Sequence, residues 1–454
     1  MASGVFDDAL IQHLWSTDEL RAIFNDHNRV QKWFDFEAAL ALEQAALGII
    51  PKAAAEEIAA NAKISKIDIT AVSAEIRRIK HPLVPAVKAV QKLCKPENGE
   101  YIHFGPTTQD VLDTATMLQI RDAHAIYLRD MKAIGNALVK LCEQHRATPM
   151  VGRSHGVQAL PITFGHKAAI WLSEMGRNYE RLRQLEPRMF VGGMVGAVGT
   201  QASFGPKAKA LEQGVMKRLG LGVADINWQP ARDRFAEYVN TLGLIGATLG
   251  KIANEIINLE HTEIGELYEP FSAGKVGSST MPHKRNPSTC EAVVGVSRAL
   301  RYNVAFMLES MLIEHERDGS SWRGEWKALP ESCLMAGGML AMMKYVLSDL
   351  HVDVEGMRRN LDSLGGFLLS ERVMFELSEK VGKQTAHDLV YEASMHGIEN
   401  GISFEDALLQ NPQVKKALTL AELKAVLDPT TYVGRAPEIV DEVLKQQRAI
   451  GWMN

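Results

Sequence analysis

Residues able to do acid–base chemistry crowd into one stretch, Phe271 to Glu291, which reads FSAGKVGSSTMPHKRNPSTCE. Ser278 and Ser279 offer an oxygen base, Lys284 and Asn286 can hold a carboxylate, and Gly274 and Gly277 permit unusual backbone angles. Such a composition suits a loop that closes over a substrate and excludes water. Ser, Gly and Lys are equally common in ordinary surface loops, so composition alone leaves both readings open.

The order of residues is more selective. Gly277, Ser278, Ser279, Thr280, Met281, Pro282, His283, Lys284, Arg285, Asn286 and Pro287, with Glu291 beyond, resemble the G-S-S-x-M-P-x-K-x-N-P signature of the fumarase/aspartase superfamily. Two further segments resemble its other signature regions. FGPTTQDVLDTA puts Thr107, Thr108, Gln109 and Asp110 at positions that line the substrate-carboxylate site. GRSHGVQALPITFGHKAA puts His155 where adenylosuccinate lyases carry a general acid, with Ser154 beside it. The likeness covers nearly the whole chain, including LDPTTYVGRAPEIVDEVL, which is similar to the small helical domain of adenylosuccinate lyases and 3-carboxy-cis,cis-muconate cycloisomerases.

By that resemblance Ser278 removes a proton beside a carboxylate, Lys284 and Asn286 stabilise the resulting aci-carboxylate, and His155 protonates the departing atom. Glu291 orients His155, and Ser279 and Met281 support the loop. Further substrate contacts are expected from His81 in RRIKHPLVP, Thr200 in VGGMVGAVGT and Arg317 in HERD. Pro82 stands where the family usually has aspartate after the histidine, and a histidine among apolar neighbours is often structural. The Gly-rich run around Thr200 lacks the Gly-Lys-Ser/Thr ending of a phosphate loop and reads as a tight connection. The resemblance implies no metal and no organic cofactor. It also implies a homotetramer whose active sites are each shared among three subunits.

Substrate choice turns on the residues after HERD. Trp322 and Trp326 stand where adenylosuccinate lyases place a serine and an arginine on the nucleotide phosphate, and indole rings cannot replace that clamp, although Arg323 lies beside them. The two tryptophans either line the site or fill core. Their pattern with Glu325 is similar to bacterial carboxymuconate cycloisomerases, which nevertheless carry Trp in place of His155. The expected reaction is β-elimination of a C–N (or C–O) bond in a non-phosphorylated, dicarboxylate-containing succinyl adduct, releasing fumarate. Alternatives are lactonising 3-carboxy-cis,cis-muconate cycloisomerase, adenylosuccinate lyase, and a silent structural protein of the crystallin type.

The elements that must position these groups read as helices. From Asn28, residues Val30, Trp33, Phe34, Ala41 and Ala45 share one face until Gly48 and Pro51. Leu242, Ile245, Leu249, Ile252, Ile256 and Leu259 form a continuous seam, and Val293, Val296, Leu300, Val304, Met307 and Met311 form another. A third begins near Leu112 and runs toward Leu141. Strand alternation is hard to find. Turn-forming stretches fall at Pro96 to Gly99, Gly192 to Gly199, Gly274 to Gly277 and Gly365 to Gly366. The expectation is an all-α, three-domain fold: an N-terminal helical domain (1–110), a central long-helix bundle (111–363) and a small helical domain (364–454).

Bulk properties agree with an enzyme acting on small molecules. The 454 residues are 46% hydrophobic, enough for more than one core, and 50 basic residues nearly balance 55 acidic ones, so no summed field favours nucleic acid or an anionic membrane. The four cysteines are too scattered for a zinc site and read as reduced thiols. Neither a leader pattern nor an apolar run of about 18 residues is seen, which gives a cytoplasmic expectation.

Overall fold

The computed structural model describes residues 4–271, 280–281 and 283–453. Six long helices dominate: α1 (Asp26–Ala46), α2 (Thr108–Gln144), α3 (Phe164–Met189), α4 (Asp233–Glu260), α5 (Ser288–Glu309) and α6 (Gly319–Ser348). The Asn25 side chain caps α1 by accepting the Asn28 N–H at 2.8 Å, and Val30, Trp33, Phe34 and Ala41 are buried. Every member of the α4 seam is buried. In α5 the seam holds from Val293 to Met307, whereas Met311 lies beyond the helix end at Glu309.

Two local expectations differ from the structure. Pro96–Gly99 is a short helix, because proline at a first helical position has its φ already set and loses no hydrogen bond there. The chain also holds an antiparallel hairpin, β1 (Pro149–Ser154) and β2 (Val157–Thr163). A register shift between Gly152 and Arg153, together with Pro161 in β2, breaks the alternation that would have advertised it. His155 and Gly156 form its two-residue turn, with φ of 55° and 78°, the left-handed pair that tight hairpins require. Among the described residues, no helix is long and apolar enough to cross a membrane.

The chain divides into two compact units. The first comprises Met1–Met131, Asn178–Gly250 and Ala292–Met342. Within it, small residues on α4 admit α5 and α6 at close range. A Cβ on Gly243 would lie 2.6 Å from Val304 Cγ2, and one on Gly246 would lie 2.8 Å from Met339 Cε and 2.9 Å from Leu300 Cδ2. The second unit comprises Lys132–Arg177, Lys251–Glu291 and Met343–Asn454. Its C-terminal helices enclose their own core of Val373, Leu377, Leu389, Phe404, Leu408 and Leu423.

Candidate active site

In the first unit the expected contacts converge on the start of α2. The Asp110 carboxylate in the first turn reaches back to accept the Thr107 N–H at 2.9 Å, and it also accepts the Val195 and Gly196 N–H groups at 3.0 Å. Gln229 Nε2 donates to it at 3.0 Å. These bonds tie the Gly-rich connection to the helix. Burial pushes the Asp110 carboxyl up to about 6 even though these backbone donors favour its charged form. Thr200, in the same connection, is exposed.

His81 Nδ1 accepts the Val84 N–H at 3.2 Å, which leaves its Nε2–H to donate to Thr108 Oγ1 at 3.3 Å. Burial, followed by the nearby His103, holds this imidazole below its ordinary pKa, in the neutral form that tautomer needs. Arg317 donates to Thr107 Oγ1 at 3.0 Å, and Gln109 donates to Asp113 Oδ2 at 3.1 Å. His81, Thr107, Thr108, Gln109 and Arg317 are thus linked to the head of one helix, although Arg317 is 210 residues from Thr107 in sequence.

Asp113, one turn into α2, leads to a buried network that sequence reasoning missed. Arg232 donates to Asp113 at 2.7 and 3.3 Å and to Glu325 at 2.8 and 2.6 Å, with its side chain fully buried. Trp228 and Phe235 bracket the guanidinium at 5.2 and 5.0 Å from their ring centroids. Aromatics four residues before and three after an arginine were the local signal; nothing local indicated the two carboxylates. Trp322 Nε1 donates to Asp113 Oδ1 at 2.9 Å, and Trp322 packs edge-on against Trp326 at 4.9 Å. Both tryptophans wall a cavity of about 160 Å³ whose lining includes Pro82, Leu112, Asp113 and Glu325. They therefore neither fill solid core nor form an anion clamp.

The second unit carries the remaining groups. Ser154 ends β1 and His155 occupies the exposed hairpin turn. Arg153 anchors that hairpin through a bidentate pair with the buried Glu266 at 2.9 and 2.7 Å, and Asn360 also donates to Glu266 at 2.7 Å. The expected base Ser278 and its neighbour Ser279 lie outside the described residues, as do Gly274 and Gly277. Beyond them, Met281 and Lys284 are exposed, and Asn286 is half-buried just before α5. The buried Glu269 caps α5, accepting the Thr289 and Cys290 N–H groups at 3.0 and 3.1 Å. Met281, Lys284 and Asn286 line an open cleft with His261, Tyr268 and Glu269. Glu291 is exposed on the first turn of α5 and shares no hydrogen bond with His155 among the described residues.

A helical lyase architecture with these segments is matched by two family models: "Lyase" over residues 14–301 and "Adenylosuccinate lyase C-terminus" over residues 366–443. The chain belongs to the fumarase/aspartase superfamily of lyases and is an enzyme of that class. It is 48% identical over 453 residues, 100% of this chain and 99% of the relative, to N-acetyl-S-(2-succino)cysteine lyase of Enterococcus italicus. It is 47% identical over 451 residues, 99% of both chains, to the enzyme of that name from Dickeya dadantii. The crystal structure of 3-carboxy-cis,cis-muconate lactonizing enzyme from Pseudomonas putida superposes with a TM-score of 0.93 at 33% identity, covering 98% of this chain and 100% of that one.

Proposed function

We propose that the enzyme eliminates fumarate from a succinyl thioether, with N-acetyl-S-(2-succino)cysteine as the leading candidate substrate. The observation that carries this reading is the 48% identity, over the full chain, to a lyase of that substrate. The cavity walled by Trp322 and Trp326 agrees with it, since an indole wall suits a leaving group without a phosphate. The scissile bond is then C–S, in place of the C–N or C–O bond expected from sequence.

In this mechanism Ser278, as alkoxide, takes the proton from the substrate carbon next to the remote carboxylate. Lys284 and Asn286 hold the aci-carboxylate that forms, and Thr107, Thr108 and Gln109 hold the other carboxylate. The electron pair then closes the fumarate double bond as the carbon–sulfur bond breaks. A thiolate of pKa about 8.5 departs more readily than an amine, so His155 needs to supply its proton only late. Ser154, His81, Thr200 and Arg317 complete the substrate contacts, and Glu291, Ser279 and Met281 support them. In this reading the enzyme is a homotetramer in which three subunits contribute to each active site.

Ser278→Ala tests the assignment. Fumarate release from the thioether should fall by at least about 10³-fold with circular dichroism and oligomeric size unchanged. Turnover within about tenfold of wild type would remove Ser278 from the mechanism.

A further inference from the structure

The cavity beside the α2 cluster offers more room than an acetyl group uses. At about 160 Å³ it is lined by Phe24, Trp33, Leu112, Phe235, Trp322 and Trp326 among others. An apolar protein cavity of about 150 Å³ accommodates a benzene ring. Its polar wall is already engaged: Asp113 takes donors from Trp322, Arg232 and Gln109, and Arg232 is shared with Glu325. At the rim, Arg29 faces Asp26 at 3.7 Å. The lining carboxylates Asp113 and Glu325 share the guanidinium of Arg232, and Arg29 at the rim is paired with Asp26, so an anionic occupant would face two carboxylates with their countercharge already engaged. A neutral apolar group meets no such penalty.

The cavity also adjoins the expected carboxylate contacts. Pro82 in its lining follows His81, which bonds Thr108, and Asp113 in its lining bonds Gln109. A substrate anchored at the head of α2 therefore has this cavity within reach of its leaving group.

We propose that this cavity is a specificity pocket for the neutral N-acyl group of the leaving thiol, and that it accepts acyl groups up to the size of benzoyl. The proposal rests on the thioether reading above. Trp326, 42% exposed, forms the outer wall and limits the size of the group, whereas Trp322 is fixed by its bond to Asp113.

Fumarate release from S-succino adducts of cysteine, N-acetylcysteine, N-butyrylcysteine, N-benzoylcysteine and N-naphthoylcysteine tests it, together with calorimetric binding of the corresponding free thiols. KM should fall by about fourfold per buried methylene from acetyl to butyryl, with kcat nearly constant. The free-amine and naphthoyl adducts should be at least about tenfold poorer than benzoyl. Trp326→Ala should raise the naphthoyl-to-acetyl ratio of kcat/KM by about tenfold or more. Fumarate release indifferent to the acyl group, or an equal loss on every adduct in Trp326→Ala, overturns the pocket while leaving the thioether reading intact. No fumarate from any adduct, with benzoyl-selective thiol binding that depends on Trp326, overturns the thioether reading and supports the pocket.

Discussion

Arg232→Met removes the one cation from a buried cluster and keeps most of the side-chain volume. The guanidinium makes four hydrogen bonds to Asp113 and Glu325 and has no solvent exposure. Methionine still fills the space between Trp228 and Phe235, so the cost is mainly that of two carboxylates left buried without a partner. Breaking a buried ion pair in this way costs about 3–5 kcal/mol. The loss must depend on pH. Burial already raises the Glu325 carboxyl above its usual value, with Arg232 opposing that shift. Without Arg232 it rises further, and a carboxyl raised in the fold is favourable below its unfolded pKa of about 4.3 and unfavourable as pH climbs through the folded value. The variant's deficit should therefore be largest near neutral pH and shrink toward about pH 5. Urea unfolding at both values, followed by circular dichroism, measures it. A deficit under about 1 kcal/mol at neutral pH, or an equal deficit at both, would refute this reading of the cluster.

Three further outcomes are expected. Gly243→Ala should cost about 1–3 kcal/mol, because Val304 is held in one rotamer on a helix and cannot yield to a Cβ 2.6 Å away; Gly295→Ala, with open space around its Cβ, should be neutral or slightly stabilising in the same denaturation assay. His103 lies 2.6 Å from the buried Glu37; although burial opposes its charge, the Glu37 hydrogen bond and the Glu37 and Asp110 charges raise its pKa. Its contribution to stability is complete below the unfolded imidazole value of about 6.5 and lost as pH rises through the raised folded value, so the destabilisation by Glu37→Gln should shrink with increasing pH. His155→Gln should slow the thioether by less than about tenfold but a C–N succinyl adduct by about 10² or more, as steady-state kinetics will report, and equal slowing would indicate a binding role instead.

Much of the fold was legible because helix burial writes a period into the chain: Leu242, Ile245, Leu249, Ile252, Ile256 and Leu259 all lie inside. The glycines between them were silent, since their role depends on which residue faces them, Val304, Leu300 or Met339. The hairpin was hidden by its register shift and by Pro161, although a His-Gly pair between Val- and Ile-bearing runs matches what a tight turn demands. At the site, motif order marked Thr107, Thr108, His155, Lys284 and Asn286. Asp113 and Arg232 escaped, and Glu325 was marked only as part of the tryptophan pattern, because partners 119 and 93 residues away leave no local signal of the ion pairs. The tryptophans posed a question that only packing could answer: Trp322 bonds Asp113, and both rings face a cavity.

The central claim is the identity of the bond that breaks. Steady-state fumarate release from N-acetyl-S-(2-succino)cysteine, adenylosuccinate and argininosuccinate, measured side by side on the wild-type enzyme, tests it most directly. The account predicts a kcat/KM for the thioether at least about 10³-fold above either C–N adduct. Turnover of a C–N adduct at equal or greater kcat/KM would contradict it and return the enzyme to the amine-releasing lyases.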